Sequence, residues 1–116
     1  MLNLLIPVDG SHSSDNAVHH VIRLLQTGSQ AQLYLVNVQP PISGDVAAFV
    51  DKKNLDSFHQ ERGQVESQSA CTLLASEGID YTLEISIGPI AEQIVAYAKQ
   101  HHVDQIIMGS RGMSAI

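Results

Sequence analysis

Short apolar runs alternate with helical segments along the chain, and this alternation limits the choice of fold more than any other feature. Residues 2–8 and 33–38 are nearly continuous apolar runs, which is typical of strands buried on both faces of a sheet. Residues 81–87 alternate between apolar and polar side chains, which predicts a strand that is wet on one face, as at a sheet edge. Residues 103–108 form a fourth strand-like run. With a helix predicted in each interval, the order βαβαβαβ indicates an α/β fold with a parallel sheet.

Each interval between these runs carries its own helical pattern. The first helix follows Ser11, Ser13 and Ser14, which can cap it, and it ends at Gly28. Pro40-Pro41 interrupts regular structure, so we predict a loop for residues 42–53 and a long second helix for residues 54–76. The third helix follows Gly88-Pro89. The apolar faces predicted for the second and third helices are Leu55, Phe58, Val65, Leu73 and Leu74, and Ile90, Ala91, Ile94, Val95 and Ala98.

Right-handed crossovers and the edge character of the third strand predict a strand order. With the first strand in the centre, the open sheet has the order 3-2-1-4 and the chain forms three layers, the first two helices on one face and the third on the other. We expect a Rossmann-like fold in a single domain that spans residues 1–116. Ligands of such sheets bind at the carboxyl ends of the strands where the order reverses, here between strands 1 and 4. The loops that meet there are residues 8–11 and 108–112.

The charge balance excludes several classes of partner. Twelve Asp and Glu residues against six Lys and Arg residues give a net charge of −6, which argues against binding to nucleic acid or to an anionic membrane surface. Cys71 is the only cysteine, so no internal disulfide can form. The sequence shows no signal-peptide pattern, and no apolar run approaches the ~18 residues of a membrane span. We therefore expect a cytoplasmic protein.

The loop at residues 108–112 contains two glycines that flank Ser110 and Arg111. Successive backbone amides in such a turn can bind an anion, phosphate above all, and Arg111 can add a charged contact. The same spacing also fits a tight strand-to-helix turn with an exposed arginine. Across the crevice, Asp9 can accept a hydrogen bond from a ribose hydroxyl or an adenine amine, or it can serve only as a turn residue that caps the first helix. The residues alone leave both alternatives open for each loop.

Other combinations of reactive side chains give weak signals. The histidines have no metal-ligand spacing, so we expect no metal site and expect them to be exposed near helix ends, with His12 placed to lean over the crevice. The Gly-x-Ser-x-Gly turn of hydrolases, the phosphate-binding loop and the dinucleotide fingerprint are absent, so we expect a binding protein rather than an enzyme. The histidines are His12, His19, His20, His59, His101 and His102.

Three segments resemble the universal stress protein family. They are Pro7-Val8-Asp9-Gly10-Ser11, Gly88-Pro89-Ile90-Ala91-Glu92-Gln93-Ile94 and Asp104-Gln105-Ile106-Ile107-Met108-Gly109-Ser110-Arg111-Gly112. The resemblance covers the whole chain in the family's order. It implies a fold of the adenine nucleotide alpha hydrolase type, with an adenine nucleotide, ATP alone or with Mg²⁺, lying across the crevice between strands 1 and 4. The implied contacts are Asp9 at the ribose, Pro7 and Val8 along the adenosine, the Val38 backbone at the adenine, Met108 and Gly109 at the border of the pocket, and Ser110, Arg111 and Gly112 at the phosphates.

The resemblance also implies a biological role. A member of the nucleotide-binding branch would be a homodimeric regulator of the stress response. A weak enzyme that slowly hydrolyses ATP is the least favoured of the functions considered. Other members bind no nucleotide and act as dimeric interaction modules, which is the alternative function.

The family pattern continues beyond the C-terminal end of this sequence. In the nucleotide-binding branch, a Gly-Ser or Gly-Thr pair follows Gly112 after nine residues, and a fourth helix and a fifth strand come later, whereas the sequence ends at Ile116. Either the product is C-terminally truncated or the sequence is part of a longer one. For a truncated product we expect self-association through the open side of strand 4 and weaker nucleotide binding.

Overall fold

The computed structural model describes residues 1–109, along which helices and strands alternate. The elements are β1 (Leu2–Pro7), α1 (His12–Gln26), β2 (Ala31–Gln39), α2 (Gly44–Ala47), α3 (Lys52–Ser76), β3 (Thr82–Ile87), α4 (Ile90–Gln100) and β4 (Gln105–Ile106). The strands form one parallel sheet in the order β3-β2-β1-β4. The predicted α/β class and the order 3-2-1-4 are confirmed.

Helices cover both faces of the sheet, as the three-layer prediction requires. Neighbouring residues of a strand point to opposite faces, so Leu4 and Ile6 of β1 face α1 and α3, while Leu5 faces α4. The continuous apolar runs of β1 and β2 follow from this double burial. The larger core, under α1 and α3, includes Leu4, Ile6, Val18, Val21, Leu33, Leu35 and Leu74. The smaller core, under α4, consists of Leu5, Val36, Ile94 and Tyr97 with partly buried neighbours.

The long helix α3 buries a face that only partly matches the predicted one. Leu74 is buried and Leu73 packs against the core, as predicted. Two of its predicted core residues are exposed, Val65 to 71% and Phe58 to 46%. Small residues let a helix approach a sheet closely, and Gly63 of α3 lies directly against the Ile85 side chain of β3. The expectation of exposed histidines is wrong for His59, which this close packing buries. The buried residues of α3 are His59, Gly63, Ser67, Ala70 and Leu74.

The remaining histidines lie mostly at the surface. His12, His19, His20 and His102 are exposed, as expected. His101 is half-buried because its ring packs against the rings of Tyr34 and Tyr97, at centroid distances of 4.7 and 4.2 Å.

The elements around β4 differ from the prediction in extent. β4 pairs with β1 over two residues instead of the predicted six, although the amides of Asp104 and Ile107 still donate to backbone carbonyls of β1. Ile106 is 41% exposed, because no element among residues 1–109 covers it on the α4 side. Of the predicted α4 stripe, Ile90, Ala91 and Val95 are exposed. The predicted loop at residues 42–53 contains the short helix α2 and the first two residues of α3.

Candidate functional site

A cleft opens at the carboxyl ends of β1 and β2, beside the loop that follows β4. Its volume is about 140 Å³, which is below the roughly 300–1,000 Å³ of sites that bury a whole drug-sized ligand. The cleft therefore encloses only part of a ligand of that size, and the rest would extend through its open side. The lining residues are Pro7, Val8, Asp9, Ser11, Ser13, Ser14, Val36, Val38, Ile90, Ile94, Met108 and Gly109.

The structure brings six of the nine predicted site residues to this one cleft. They come from both predicted loops and from the end of β2, so the predicted meeting of the loops is present in the fold. His12 is not among the lining residues. Ser110, Arg111 and Gly112 lie outside the described residues. The six are Pro7, Val8, Asp9, Val38, Met108 and Gly109.

The loop between β1 and α1 is held by local hydrogen bonds that its serines and its aspartate dictate. Asp9 Oδ1 accepts a hydrogen bond from the Ser11 amide at 2.9 Å, and the Ser14 hydroxyl accepts one from the Asp9 amide at 3.4 Å. The Ser11 hydroxyl caps α1 by accepting from the Ser14 amide at 3.2 Å. Asp9 therefore has the turn role that was one of its two alternatives. This role does not compete with the other, because a carboxylate can accept several hydrogen bonds.

The loop after β4 lies directly on the first turn of α1. A Cβ placed on Gly109 would overlap the carbonyl group of Ser13, so the two backbones can approach this closely only because position 109 has no side chain. The packing function of Gly109 is thus evident in the structure, while the anion-binding function remains a prediction. Met108 beside it is 62% exposed.

The floor of the cleft is apolar and includes residues that the sequence reasoning missed. Val36 and Val38 point to the α4 side of the sheet, and Ile94 of α4 packs with them. Ile90, in the first turn of α4, also faces the cleft and is 58% exposed. A signal for these residues was present, since Gly88-Pro89 starts a helix at the same carboxyl edge of the sheet. The helical stripe of α4 by itself predicts only a core position for Ile90 and Ile94.

A polar cluster lies on the opposite side of the sheet, directly beneath the first loop. Asn37 of β2 is fully buried, and its Nδ2 donates to the Val8 carbonyl at 2.9 Å and to Glu66 Oε1 at 3.1 Å. Gln39 Nε2 donates to Asn37 Oδ1 at 2.7 Å and to the same Glu66 oxygen at 3.1 Å. Arg62 contacts Glu66 Oε2 at 3.4 Å on the surface. The sequence reasoning missed this cluster because Asn37 and Gln39 interrupt an otherwise apolar strand without forming a known motif.

The charges at the cleft are few. Asp9 is the one ionisable side chain among the lining residues that the structure describes. The N-terminus of α1 also opens there through Ser11, Ser13 and Ser14, and the partial positive charge of a helix N-terminus favours an anionic ligand.

Two tyrosines with clearly raised pKa values lie outside the cleft lining. Burial raises the pKa of Tyr97 to about 12, with Glu84 and Tyr34 adding to the effect. A hydrogen bond with Cys71 is the main cause that raises the pKa of Tyr81 above its usual value, and burial is the second.

Two further findings concern metal ligands and membrane-spanning helices in the described part of the chain. Within residues 1–109, no three His, Cys, Asp or Glu side chains are grouped closely enough to hold a metal ion. The helices of the same residues include none that is long and apolar enough to cross a membrane.

Known proteins resemble this chain in sequence and in fold. The model of the Universal stress protein family matches residues 1–116. Universal stress protein MJ0531 from Methanocaldococcus jannaschii is 25% identical over 115 residues, which cover 97% of this chain. The chain spans 66% of that relative's length, just under two thirds.

Solved structures agree in fold. A universal stress protein in complex with cAMP has a TM-score of 0.72 at 20% identity, over 99% of this chain and 80% of its own. A universal stress protein family protein from Arabidopsis thaliana with AMP bound has a TM-score of 0.70 at 15% identity, over 100% of this chain and 81% of its own. At these identities the likeness concerns the fold alone, and the family match over residues 1–116 carries the assignment: the chain belongs to the universal stress protein family.

Proposed function

We propose that the cleft binds the adenosine part of an adenine nucleotide. One observation carries this proposal: the cleft combines an apolar floor with the carboxylate of Asp9. It lies at the predicted place, the carboxyl ends of the strands where the strand order reverses. Apolar walls with a few placed polar groups are typical of small-molecule sites. Two structurally similar proteins are described with cAMP or AMP bound, which supports an adenine nucleotide as the ligand class.

The proposed contacts are those that the family resemblance implies, and six of the nine residues concerned line the cleft. Asp9 accepts from a ribose hydroxyl, and the backbone of Val38 contacts the adenine over the apolar floor. The N-terminus of α1 faces the phosphates from Ser11 and Ser13. The phosphates extend through the open side of the cleft, and the family resemblance assigns Ser110, Arg111 and Gly112 to them. Pro7, Val8, Met108 and Gly109 border the adenosine. ATP, with or without Mg²⁺, is the full ligand that we propose.

Calorimetric titration of the chain with ATP, AMP and GTP tests this proposal. We expect ATP and AMP to bind and GTP to bind less well. The Asp9→Asn variant keeps the oxygen that accepts from the Ser11 amide, so the loop should fold as before while the charged acceptor is lost. We expect its affinity for AMP to fall about tenfold, the effect of one charge-assisted hydrogen bond.

A matched control separates this local effect from a general change in charge. Asp80→Asn removes one negative charge from an exposed position outside the cleft lining and should leave the affinity unchanged. Absence of heat with ATP and AMP, or equal loss of affinity in both variants, would refute the proposed site.

We further propose that the cleft binds nucleotide without transforming it. Among its described lining residues, no His, Lys or Arg accompanies Asp9, so no acid–base pair of the kind used in general acid–base catalysis is present there. We expect phosphate release from ATP at no more than a slow rate. Rapid turnover that disappears in Asp9→Asn would contradict this.

A second candidate function, a dimeric interaction module, is favoured by the surface around β4. β4 pairs with β1 on one side, and among residues 1–109 no strand pairs with its other edge. The side chains of Ile106 and Met108, in and just after β4, are exposed. Such an edge can add a strand from a second copy of the chain. Light scattering at micromolar concentration with and without ATP tests this, and a monomer under both conditions would refute self-association. A dimer that gives no heat with nucleotide would favour the interaction module over the nucleotide sensor.

A further inference from the structure

We propose that Asn37 and Glu66 are positioning residues for nucleotide binding, because together they fix the loop at residues 8–10 from beneath and connect helix α3 to the cleft. This inference rests on the proposed function. Neither residue lines the cleft, and both lie on the opposite side of the sheet.

The first step of the argument is the place of Asn37 in β2. Its neighbours Val36 and Val38 face the cleft, so its own side chain faces α3. The Val8 amide continues the strand ladder by donating to the Val36 carbonyl at 2.9 Å. The Val8 carbonyl then accepts from Asn37 Nδ2, also at 2.9 Å. A side chain thus holds the chain at the residue just before Asp9.

The second step is the double contact of Glu66 with the same region. Its Oε1 accepts from Asn37 and from Gln39, which fixes the orientation of both amides. Its backbone carbonyl lies against Gly10, where a Cβ would be 3.1 Å from the oxygen and where φ is +83°. Asp9 is therefore flanked by two supports: Val8 is held by the Asn37 side chain, which Glu66 orients, and Gly10 lies against the Glu66 backbone carbonyl.

The third step is that packing alone does not account for this arrangement. The positions before Asn37 on the same strand face, Leu33 and Leu35, are buried leucines. An apolar residue at position 37 would continue their core without the desolvation of an amide. Unlike an apolar side chain, the Asn37 amide makes a directional contact, because its Nδ2 donates to the Val8 carbonyl. A buried polar group that fixes a loop next to a binding carboxylate is expected where geometry matters more than stability.

A consequence is that α3 and the cleft are thermodynamically coupled. Whatever alters the position of α3 at Glu66 alters Asp9, and by reciprocity a nucleotide at Asp9 alters α3. The Arg62–Glu66 pair lies at the solvent end of this connection, with Arg62 60% exposed.

The experiment compares variants that break the connection with variants that preserve it. Asn37→Leu removes the donor, and Glu66→Leu removes the acceptor. Glu66→Gln keeps an oxygen at Oε1 while removing the charge, so it serves as the conservative rescue. Arg62→Gln is the control at the exposed end. The measurements are AMP affinity by calorimetry, thermal denaturation, and the backbone amide chemical shifts of residues 9–11 in the protein without nucleotide.

We expect Asn37→Leu and Glu66→Leu to weaken AMP binding about fivefold or more and to shift the loop amides. Glu66→Gln and Arg62→Gln should bind AMP within about twofold of the unmodified chain. A purely structural role predicts that affinity follows the melting temperature across all four variants. The proposal is overturned if folded Asn37→Leu binds AMP normally, or if Glu66→Gln loses as much affinity as Glu66→Leu.

Two further outcomes are decided by the same set of variants. If Asn37→Leu does not fold, the comparison of Glu66→Leu with Glu66→Gln tests the proposal alone. The Glu66 side chain is 25% exposed, so we expect both variants to fold. If the unmodified chain binds no nucleotide, the proposed function fails, and the loop amide shifts alone decide whether Asn37 and Glu66 position the loop. Unchanged shifts in both leucine variants would overturn the positioning claim.

Discussion

Gly63 offers a test of how closely α3 packs on the sheet. In an exposed helix, replacing glycine by alanine stabilises the fold by about 1 kcal/mol. A Cβ at Gly63, however, would lie 2.6 to 2.8 Å from the side-chain carbons of Ile85. Ile85 is β-branched and stiff at χ1, so it cannot easily turn away, and overpacking of this kind costs about 1–3 kcal/mol. The net effect of Gly63→Ala is therefore a loss of about 0–2 kcal/mol in the free energy of unfolding.

A double-mutant cycle with Ile85→Ala isolates this clash. Truncating the half-buried Ile85 alone should cost about 2 kcal/mol. In the double variant the clash disappears and the helix-propensity gain remains, so the double variant should be more stable than Ile85→Ala alone by about 1 kcal/mol. Urea denaturation followed by circular dichroism measures all four proteins. The reasoning fails if Gly63→Ala alone stabilises the chain by the full helix-propensity gain, or if the two changes are additive within about 0.5 kcal/mol.

Four further outcomes follow from the positions of two glycines and a tyrosine. Gly10→Ala should destabilise the chain by about 1–2 kcal/mol in thermal denaturation, because its φ of +83° strains an L-residue and the new Cβ would press on the Glu66 carbonyl. Gly109→Ala should abolish AMP binding in calorimetry, because the loop must move away from Ser13; normal binding would refute the close approach. Tyr97→Phe should raise stability by about 0.5–1 kcal/mol, because among the described residues the buried Tyr97 hydroxyl has no hydrogen-bond partner; a loss of stability would contradict this. The pKa of Tyr97 is raised to about 12 from the ordinary 10.0, so the phenol stays protonated in the folded state. The contribution of this protonated group to the free energy of unfolding should be constant below pH 10. Between pH 10 and 12 the free energy of unfolding should fall by at most about 1.4 kcal/mol per pH unit. This fall should be smaller in Tyr97→Phe.

The sheet was predictable from the sequence because strand signals are strong when both faces are buried. Residues 2–8 and 33–38 could only be buried strands, and the alternation at residues 81–87 identified β3 as an edge strand. The predicted position of the cleft followed from the strand order, since carboxyl ends of parallel strands lie at one edge.

The helix faces were harder to predict, because apolar size was taken as the measure of burial. In α3 the buried residues include Gly63, Ser67 and Ala70, which scarcely register on a hydrophobic scale, beside the predicted Leu74. In α4 the buried residues are Ile94 and Tyr97, while Val95 faces solvent. At Gly63, close approach rather than hydrophobicity decides which face of α3 meets the sheet.

The candidate site was predictable only as far as its loops. Asp9 and Gly109 could be placed from their positions after strands 1 and 4. The support from Asn37 could not, since a buried amide leaves no periodic signal and its partner Glu66 is 29 residues away in the sequence.

The contact between position 109 and Ser13 also limits how the binding region can deform. The two walls of the cleft touch at this point with bare backbone on both sides. Any widening of the cleft that preserves this contact must move residues 107–109 and the first turn of α1 together, away from the beginning of α4. The missing side chain at Gly109 thus links the end of the described chain to the first turn of α1.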